Sequence, residues 1–111
     1  MKSSRALVSV PPKYLSGLYQ GHIALQADKL VAPYLGEWMR LTGTIDDVRG
    51  LSTLIVTLRE YMGMPIVLCL FEDTWREQLM RLIKEQAVTL EGRISVVGST
   101  MVQLDSCELI E

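Results

Sequence analysis

The chain has 111 residues, of which 49% are hydrophobic and 22% charged. That length fits one domain able to bury a core without metals or crosslinks, and the composition is that of an ordinary globular protein. A formal net charge of −2 argues against strong, sequence-blind binding to a polyanion, and one histidine beside two cysteines supplies too few ligands for zinc, so no metal or cofactor is expected.

Residues 1–10 carry basic side chains but no long apolar run, and read as a flexible arm, not a secretory leader. The longest apolar stretch, Ile66 to Phe71, is far too short to span a bilayer, so no membrane partner is expected, and two cysteines inside apolar strand patterns read as thiols of a reducing cytoplasm, which makes a cytoplasmic location the expectation. Pro11 and Pro12 open a short helix, with Tyr14, Leu15, Leu18 and Tyr19 on one stripe. A second turn carrying Leu25, Ala27, Leu30 and Val31 stops at Pro33. Residues 11–33 are expected as a helical cap on a barrel formed by residues 34–111, the two making one domain over 11–111.

The first strand is expected from about Gly36 to Val48, with Met39, Leu41, Gly43 and Ile45 facing one way and Trp38, Arg40, Thr42 and Thr44 the other. The second, from about Leu51 to Glu60, alternates Leu54, Val56 and Leu58 inward with Thr53, Ile55, Thr57 and Arg59 outward. The third, Ile66 to Phe71, is apolar on both faces, which predicts cover on both. A helix follows, with capping-box spacing between Thr74 and Glu77, an apolar face of Trp75, Leu79, Leu82 and Ile83, and Glu77–Arg81 and Arg81–Glu85 pairs on the wet side. The fourth strand is Ala87 to Val97, with Val88, Leu90, Gly92 and Ile94 inward. The fifth is about Thr100 to Ile110, with an irregularity near Asp105-Ser106 that resets the phase for Cys107 and Leu109.

Leu41-Thr42-Gly43-Thr44-Ile45-Asp46-Asp47-Val48 is echoed by Leu90-Glu91-Gly92-Arg93-Ile94-Ser95-Val96-Val97. Glycine in mid-strand weakens the strand unless the sheet bends sharply or another backbone comes close. Two such strands predict a small, strongly coiled barrel. Three strands, one helix and two strands is the order of the OB fold, a five-stranded Greek-key barrel, here mostly β with a helix between strands three and four and an N-terminal helical cap. The two glycine strands are the first and fourth, which pair to close such a barrel.

Ala27-Asp28-Lys29, Tyr34-Leu35-Gly36-Glu37-Trp38 and Arg40-Leu41-Thr42-Gly43-Thr44-Ile45 resemble the tRNA_anti-like group of OB-fold proteins, and Leu104-Asp105-Ser106-Cys107-Glu108-Leu109 is similar to that group's last strand. The resemblance covers about residues 14–110. It implies an anticodon-binding-like barrel and, with it, single-stranded DNA or RNA as a partner. Glu37 departs from the pattern: it stands where a lysine is usual and removes positive charge from the barrel entrance.

OB folds bind across strands two and three, between the loops joining strands one and two and strands four and five. The candidate nucleic-acid-binding residues are therefore Trp38, Arg40, Arg49, Ile55, Arg59 and Tyr61: arginines for phosphates, Trp38 or Tyr61 for stacking on a base. The same residues also read as a solvated strand face with routine charges, and Asp46 and Asp47 beside Arg49 oppose a phosphate backbone. Trp75 reads as core, and Trp38 has a competing place under the N-terminal cap. Cys69 and Cys107 read as buried thiols, a disulfide being the alternative. His22 reads as a loop residue, and Asp46-Asp47 as a solvated turn. No acid, base, nucleophile or metal set converges, so the chain is not expected to be an enzyme. The reading is a non-enzymatic OB-fold module for single-stranded nucleic acid. The alternative is a protein-interaction or assembly module, a homodimer through strand three or a patch including Ile55, Met62 and Met64.

Overall fold

The computed structural model describes residues 6–50, 53–59 and 65–110. Pro12 sets the first turn of α1 (Pro12–Gly21), which is followed by α2 (Ala24–Val31) and a 3-10 turn over Ala32–Tyr34. Leu15 and Val31 lie wholly within the core, so the pair of helices closes one end of the barrel. The Tyr19 hydroxyl donates to the Asp28 carboxylate, and Tyr14 meets Tyr34 edge to face at 6.3 Å, fastening the cap to itself. The Gln20 amide donates to the Ser99 carbonyl (2.8 Å) and ties the cap to the turn between the last two strands. Ahead of the cap, the Val8 N–H donates to the Trp38 carbonyl at 2.8 Å and Leu7 bridges to Trp38. Val8 and Val10 pack on the core, so this part of the expected arm lies against the barrel.

The five strands are β1 (Trp38–Gly50), β2 (Leu54–Arg59), β3 (Ile66–Phe71), β4 (Ala87–Val97) and β5 (Met101–Ile110). They close in the order β1-β2-β3-β5-β4, with β3 and β5 parallel and every other pair antiparallel. This is the five-stranded OB barrel that the strand order predicts. The alternation of side chains holds in each strand: Met39, Leu41 and Ile45, Leu54, Val56 and Leu58, and Leu90 and Ile94 are all buried. Each such side chain contributes roughly 1.5–3 kcal/mol relative to staying exposed.

The two glycines do separate jobs. β1 and β4 pair with Leu41 opposite Leu90, which sets Gly92 opposite Met39 and Gly43 opposite Val88. A Cβ at Gly43 would stand 3.3 Å from the Leu58 Cβ of β2. A Cβ at Gly92 would stand 2.6 Å from the Cys107 Sγ and 2.8 Å from the Leu104 Cβ of β5. Each glycine lets the next strand round the barrel swing inward, one on each side of the β1–β4 seam. Ser106, at φ 53, forms the expected irregularity in β5, where the register with β4 shifts between Glu91 and Arg93.

The helix after β3 is much shorter than its sequence pattern predicts. A 3-10 turn (Asp73–Trp75) leads into one turn of α3 (Arg76–Leu79), and Thr74 caps nothing. The chain leaves the helix because it must feed β4: the Glu85 N–H donates to the Ile45 carbonyl (2.7 Å) and the Ile45 N–H to the Gln86 carbonyl (2.9 Å). Glu85 takes a left-handed conformation to do so. Leu79 is buried over the second barrel end, but Ile83 is 69% exposed, and Arg81 falls beyond the helix on which its i,i+4 pairs were expected. Arg76 pairs with Asp73 instead (2.7 Å). Trp75 packs edge to face on Phe71 at 5.8 Å and is core-facing, as its pattern predicts.

Candidate functional site

Strand register lays out the outer face of β1, β2, β3 and β5 in three rows. Arg49 pairs with Ile55 and Ile55 with Leu70; Asp47 pairs with Thr57, Thr57 with Leu68 and Leu68 with Gln103; Thr44 pairs with Arg59, Arg59 with Ile66 and Ile66 with Met101. Leu54, Val56 and Leu58 of β2 point inward, so these partners share the outer surface. Val96, 45% exposed, continues the middle row beside Gln103. The result is an apolar ridge of Ile55, Ile66, Leu68, Leu70 and Met101, each partly buried, with Arg49 and Arg59 along the β1–β2 edge.

Both arginines already hold carboxylates. Arg49 pairs with Asp47 at 3.2 Å and Arg59 with Asp46 at 2.9 Å. The Arg49 guanidinium, helped by the Val48 N–H, holds the Asp47 carboxyl below the usual carboxylate range. A depressed carboxyl of this kind adds stability above its ordinary pKa and loses it as pH falls through the lowered value. The side chains are well exposed, so the pairs screen readily and can exchange partners.

The six expected site residues do not form one site. Arg49, Ile55 and Arg59 share the face just described. Trp38 and Arg40 lie on the first half of β1, over β4, on a different wall of the barrel. Tyr61 lies outside the described residues, as do Met62 and Met64. Trp38 is half-buried and lines a cavity of about 280 Å³ together with Glu72, Trp75, Ser106, Cys107 and Glu108, and the cover over its backbone comes from Val8 instead of the helices. Carboxylates beside an indole make a poor seat for a base carried on phosphates. Arg40 donates from both Nε (2.9 Å) and Nη2 (2.6 Å) to one oxygen of Glu91, whose side chain is only 3% exposed. Arg40 is a structural cation. Its partner was not among the expected residues; antiparallel pairing of Leu41 with Leu90 sets Arg40 directly opposite Glu91.

Cys69 and Cys107 are free, buried thiols, and their mutual hydrogen bond together with burial raises the Cys69 pKa. His22 ends α1, its Nδ1 3.0 Å from the Leu18 carbonyl. Among the described residues, no three His, Cys, Asp or Glu side chains converge on a metal position, and no helix is long and apolar enough to cross a membrane.

The model of the tRNA_anti-like family matches residues 25–108. No curated protein sequence matches the chain at a significant level. Among solved structures, the chain is similar to a Klebsiella pneumoniae lipoprotein provisionally assigned to nucleic-acid binding, with 24% identity and a TM-score of 0.64 over 78% of this chain and 81% of that one. It is also similar to the asparaginyl-tRNA synthetase of Pyrococcus horikoshii, with 20% identity and a TM-score of 0.55 over 71% of this chain, although it spans only 21% of the synthetase. A third similarity is to an OBody bound to hen egg-white lysozyme, at 12% identity and a TM-score of 0.55, over 71% of this chain and 86% of that one. At these identities the likenesses establish the fold.

Proposed function

We propose that this chain, which belongs to the tRNA_anti-like family, is a non-enzymatic binding module that takes single-stranded nucleic acid across the outer face of β2 and β3. The observation that carries the reading is the placement of Arg49 and Arg59, both more than half exposed, on one edge of an apolar platform where OB folds receive their ligands. The family and the nucleic-acid-binding assignment of the Klebsiella lipoprotein support it. The platform has aliphatic side chains and offers van der Waals contact to base faces, which is weaker than aromatic stacking. Asp46 and Asp47 compete with phosphate for both guanidinium groups. The affinity is accordingly low and salt-sensitive, with a Kd of roughly tens of micromolar and a log–log salt slope near −1.4 for two phosphates.

Fluorescence anisotropy with labelled single-stranded DNA and RNA tests this directly. Asp46→Asn with Asp47→Asn releases both arginines and is expected to tighten binding several-fold. Arg49→Ala with Arg59→Ala is expected to abolish it. No salt-sensitive binding by either the wild type or the Asn variant contradicts the proposal.

A second reading, a protein-binding face, is favoured by one specific observation: the guanidinium groups are neutralised and the ridge beside them is apolar. An OBody bound to lysozyme is an OB fold that takes a protein.

A further inference from the structure

Cys69 and Cys107 are the two free thiols of the core, and they meet across the seam between β3 and β5. Cys69 is the last residue of β3 to pair with β5, opposite Leu104. Beyond that pair the ladder ends, and β5 turns through Ser106 at φ 53. The extra residue resets the alternation of β5, so Cys107 points into the barrel with Val102 and Leu104 instead of outward with Gln103. Gly92 of β4 leaves the space that the sulfur takes: a Cβ there would meet the Cys107 Sγ at 2.6 Å and the Leu104 Cβ at 2.8 Å. The Cys107 sulfur thus lies alongside the residue that Cys69 pairs with, and the two thiols share a hydrogen bond. Cys107 also forms part of the wall of the cavity of about 280 Å³ between Trp38 and Trp75, a space several times that of one water molecule. Cys69 is wholly buried.

We infer that Cys69 and Cys107 are a redox pair, which a peroxide converts to a disulfide joining β3 to β5 just past the end of their ladder. Peroxide enters the cavity and meets Cys107 first. The Cys107 thiolate attacks one peroxide oxygen and the O–O bond breaks. A sulfenic acid forms on Cys107, and the departing hydroxide takes up the proton that the thiol released and leaves as water. The Cys69 sulfur then attacks the Cys107 sulfur. The S–S bond forms as the S–O bond breaks, and the second hydroxide leaves as water with the Cys69 proton. Two thiols and one peroxide give one disulfide and two waters. The adjoining sulfur and burial raise the Cys69 pKa, so Cys69 resolves the sulfenic acid and does not initiate the reaction. Cys107 is 1% exposed, so the first step is slow and follows local opening of the cavity wall. The bond closes a loop of about 40 residues in the unfolded chain and ties the bulged half of β5 to β3. The inference stands on the placement of the two sulfurs and is independent of any nucleic-acid ligand.

The test uses the folded full chain, reduced, freed of reductant and left overnight in millimolar hydrogen peroxide. The reaction is stopped with catalase, and the remaining thiols are alkylated in guanidinium. Non-reducing peptide mapping of the wild type is expected to find the Cys69 and Cys107 peptides joined, about 2 Da lighter than the two thiol peptides together, with both cysteines lost from the alkylated fraction. The Tm is expected to rise by about 10 °C and to return when dithiothreitol is added, a reversal that oxidised methionine does not show. Cys69→Ala is expected to hold Cys107 as a sulfenic acid that dimedone traps, and its Tm is expected not to respond to dithiothreitol. Should that variant fail to fold, the wild-type map and the reversible Tm shift decide the matter. A folded wild type that keeps both thiols open to alkylation overturns the inference. So does sulfinic acid on either sulfur without a crosslink, or a crosslink that forms only between chains.

Discussion

Gly92→Ala is expected to destabilise the protein by about 3 kcal/mol, the upper end of the range for overpacking a core. The new methyl group would meet the Cys107 Sγ at 2.6 Å and the Leu104 Cβ at 2.8 Å. The Leu104 Cβ is fixed by the β5 backbone, so relief requires moving a strand that is held to β4 on one side and to β3 on the other. For a domain of this size the loss appears as a fall in Tm of roughly 10 °C or more. Gly43→Ala is the internal control. Its methyl group would stand 3.3 Å from the Leu58 Cβ, a contact relieved by a shift of a few tenths of an ångström, and the expected cost is about 1 kcal/mol or less. Thermal and urea melts of both variants check the ordering. Equal losses would mean that the two glycines are interchangeable and that the close approach of β5 at Gly92 does not fix the barrel's curl.

Arg40→Met is expected to cost roughly 1–3 kcal/mol, because it removes two charge-assisted hydrogen bonds from a carboxylate that is 3% exposed. Replacing both members, Arg40→Met with Glu91→Leu, removes the charge as well as its counter-ion and is expected to recover most of that loss. The interaction energy from the four-member cycle in urea is then the measured quantity. Arg76 also makes two bonds to a single oxygen, that of Asp73, but among the described residues only Arg40, at 2.9 and 2.6 Å, makes them to a buried acid. The variant also separates structure from binding. Its folded fraction is expected to bind oligonucleotide as the wild type does, whereas Arg49 and Arg59 variants lose binding with only the small loss of stability that exposed ion pairs carry. A stable Arg40→Met protein with impaired binding would return Arg40 to the ligand face.

The barrel was legible in the sequence where one rule governed a whole strand. Inward Met39, Leu41 and Ile45, the two glycines and the phase reset at Ser106 follow from period-two burial and its interruptions. The helix was not legible in its length. Trp75, Leu79, Leu82 and Ile83 have helical spacing, but the backbone of Ile45 draws Glu85 and Gln86 into pairing, and that long-range demand outweighs local propensity. The candidate site was legible only in part for a related reason. Along the chain Arg40 reads as an outward residue of the first strand and Arg49 as a residue of the loop that follows it, with nothing to separate their roles. The pairing of β1 with β4 gives Arg40 a buried acid, and the exposed Asp46 and Asp47 neutralise the other two arginines at the surface. Which acid meets which base is a matter of strand register, and register is set by partners distant in sequence.

The proposed β2–β3 binding face is tested most directly by chemical-shift mapping of the 15N-labelled protein during titration with a single-stranded oligonucleotide at low salt. The expected result is a continuous set of shifts at Arg49, Ile55, Thr57, Arg59, Leu68 and Leu70, suppressed by added salt. Shifts confined to Trp38, Arg40 and Glu91 on the other wall, or no shifts at all, would contradict it.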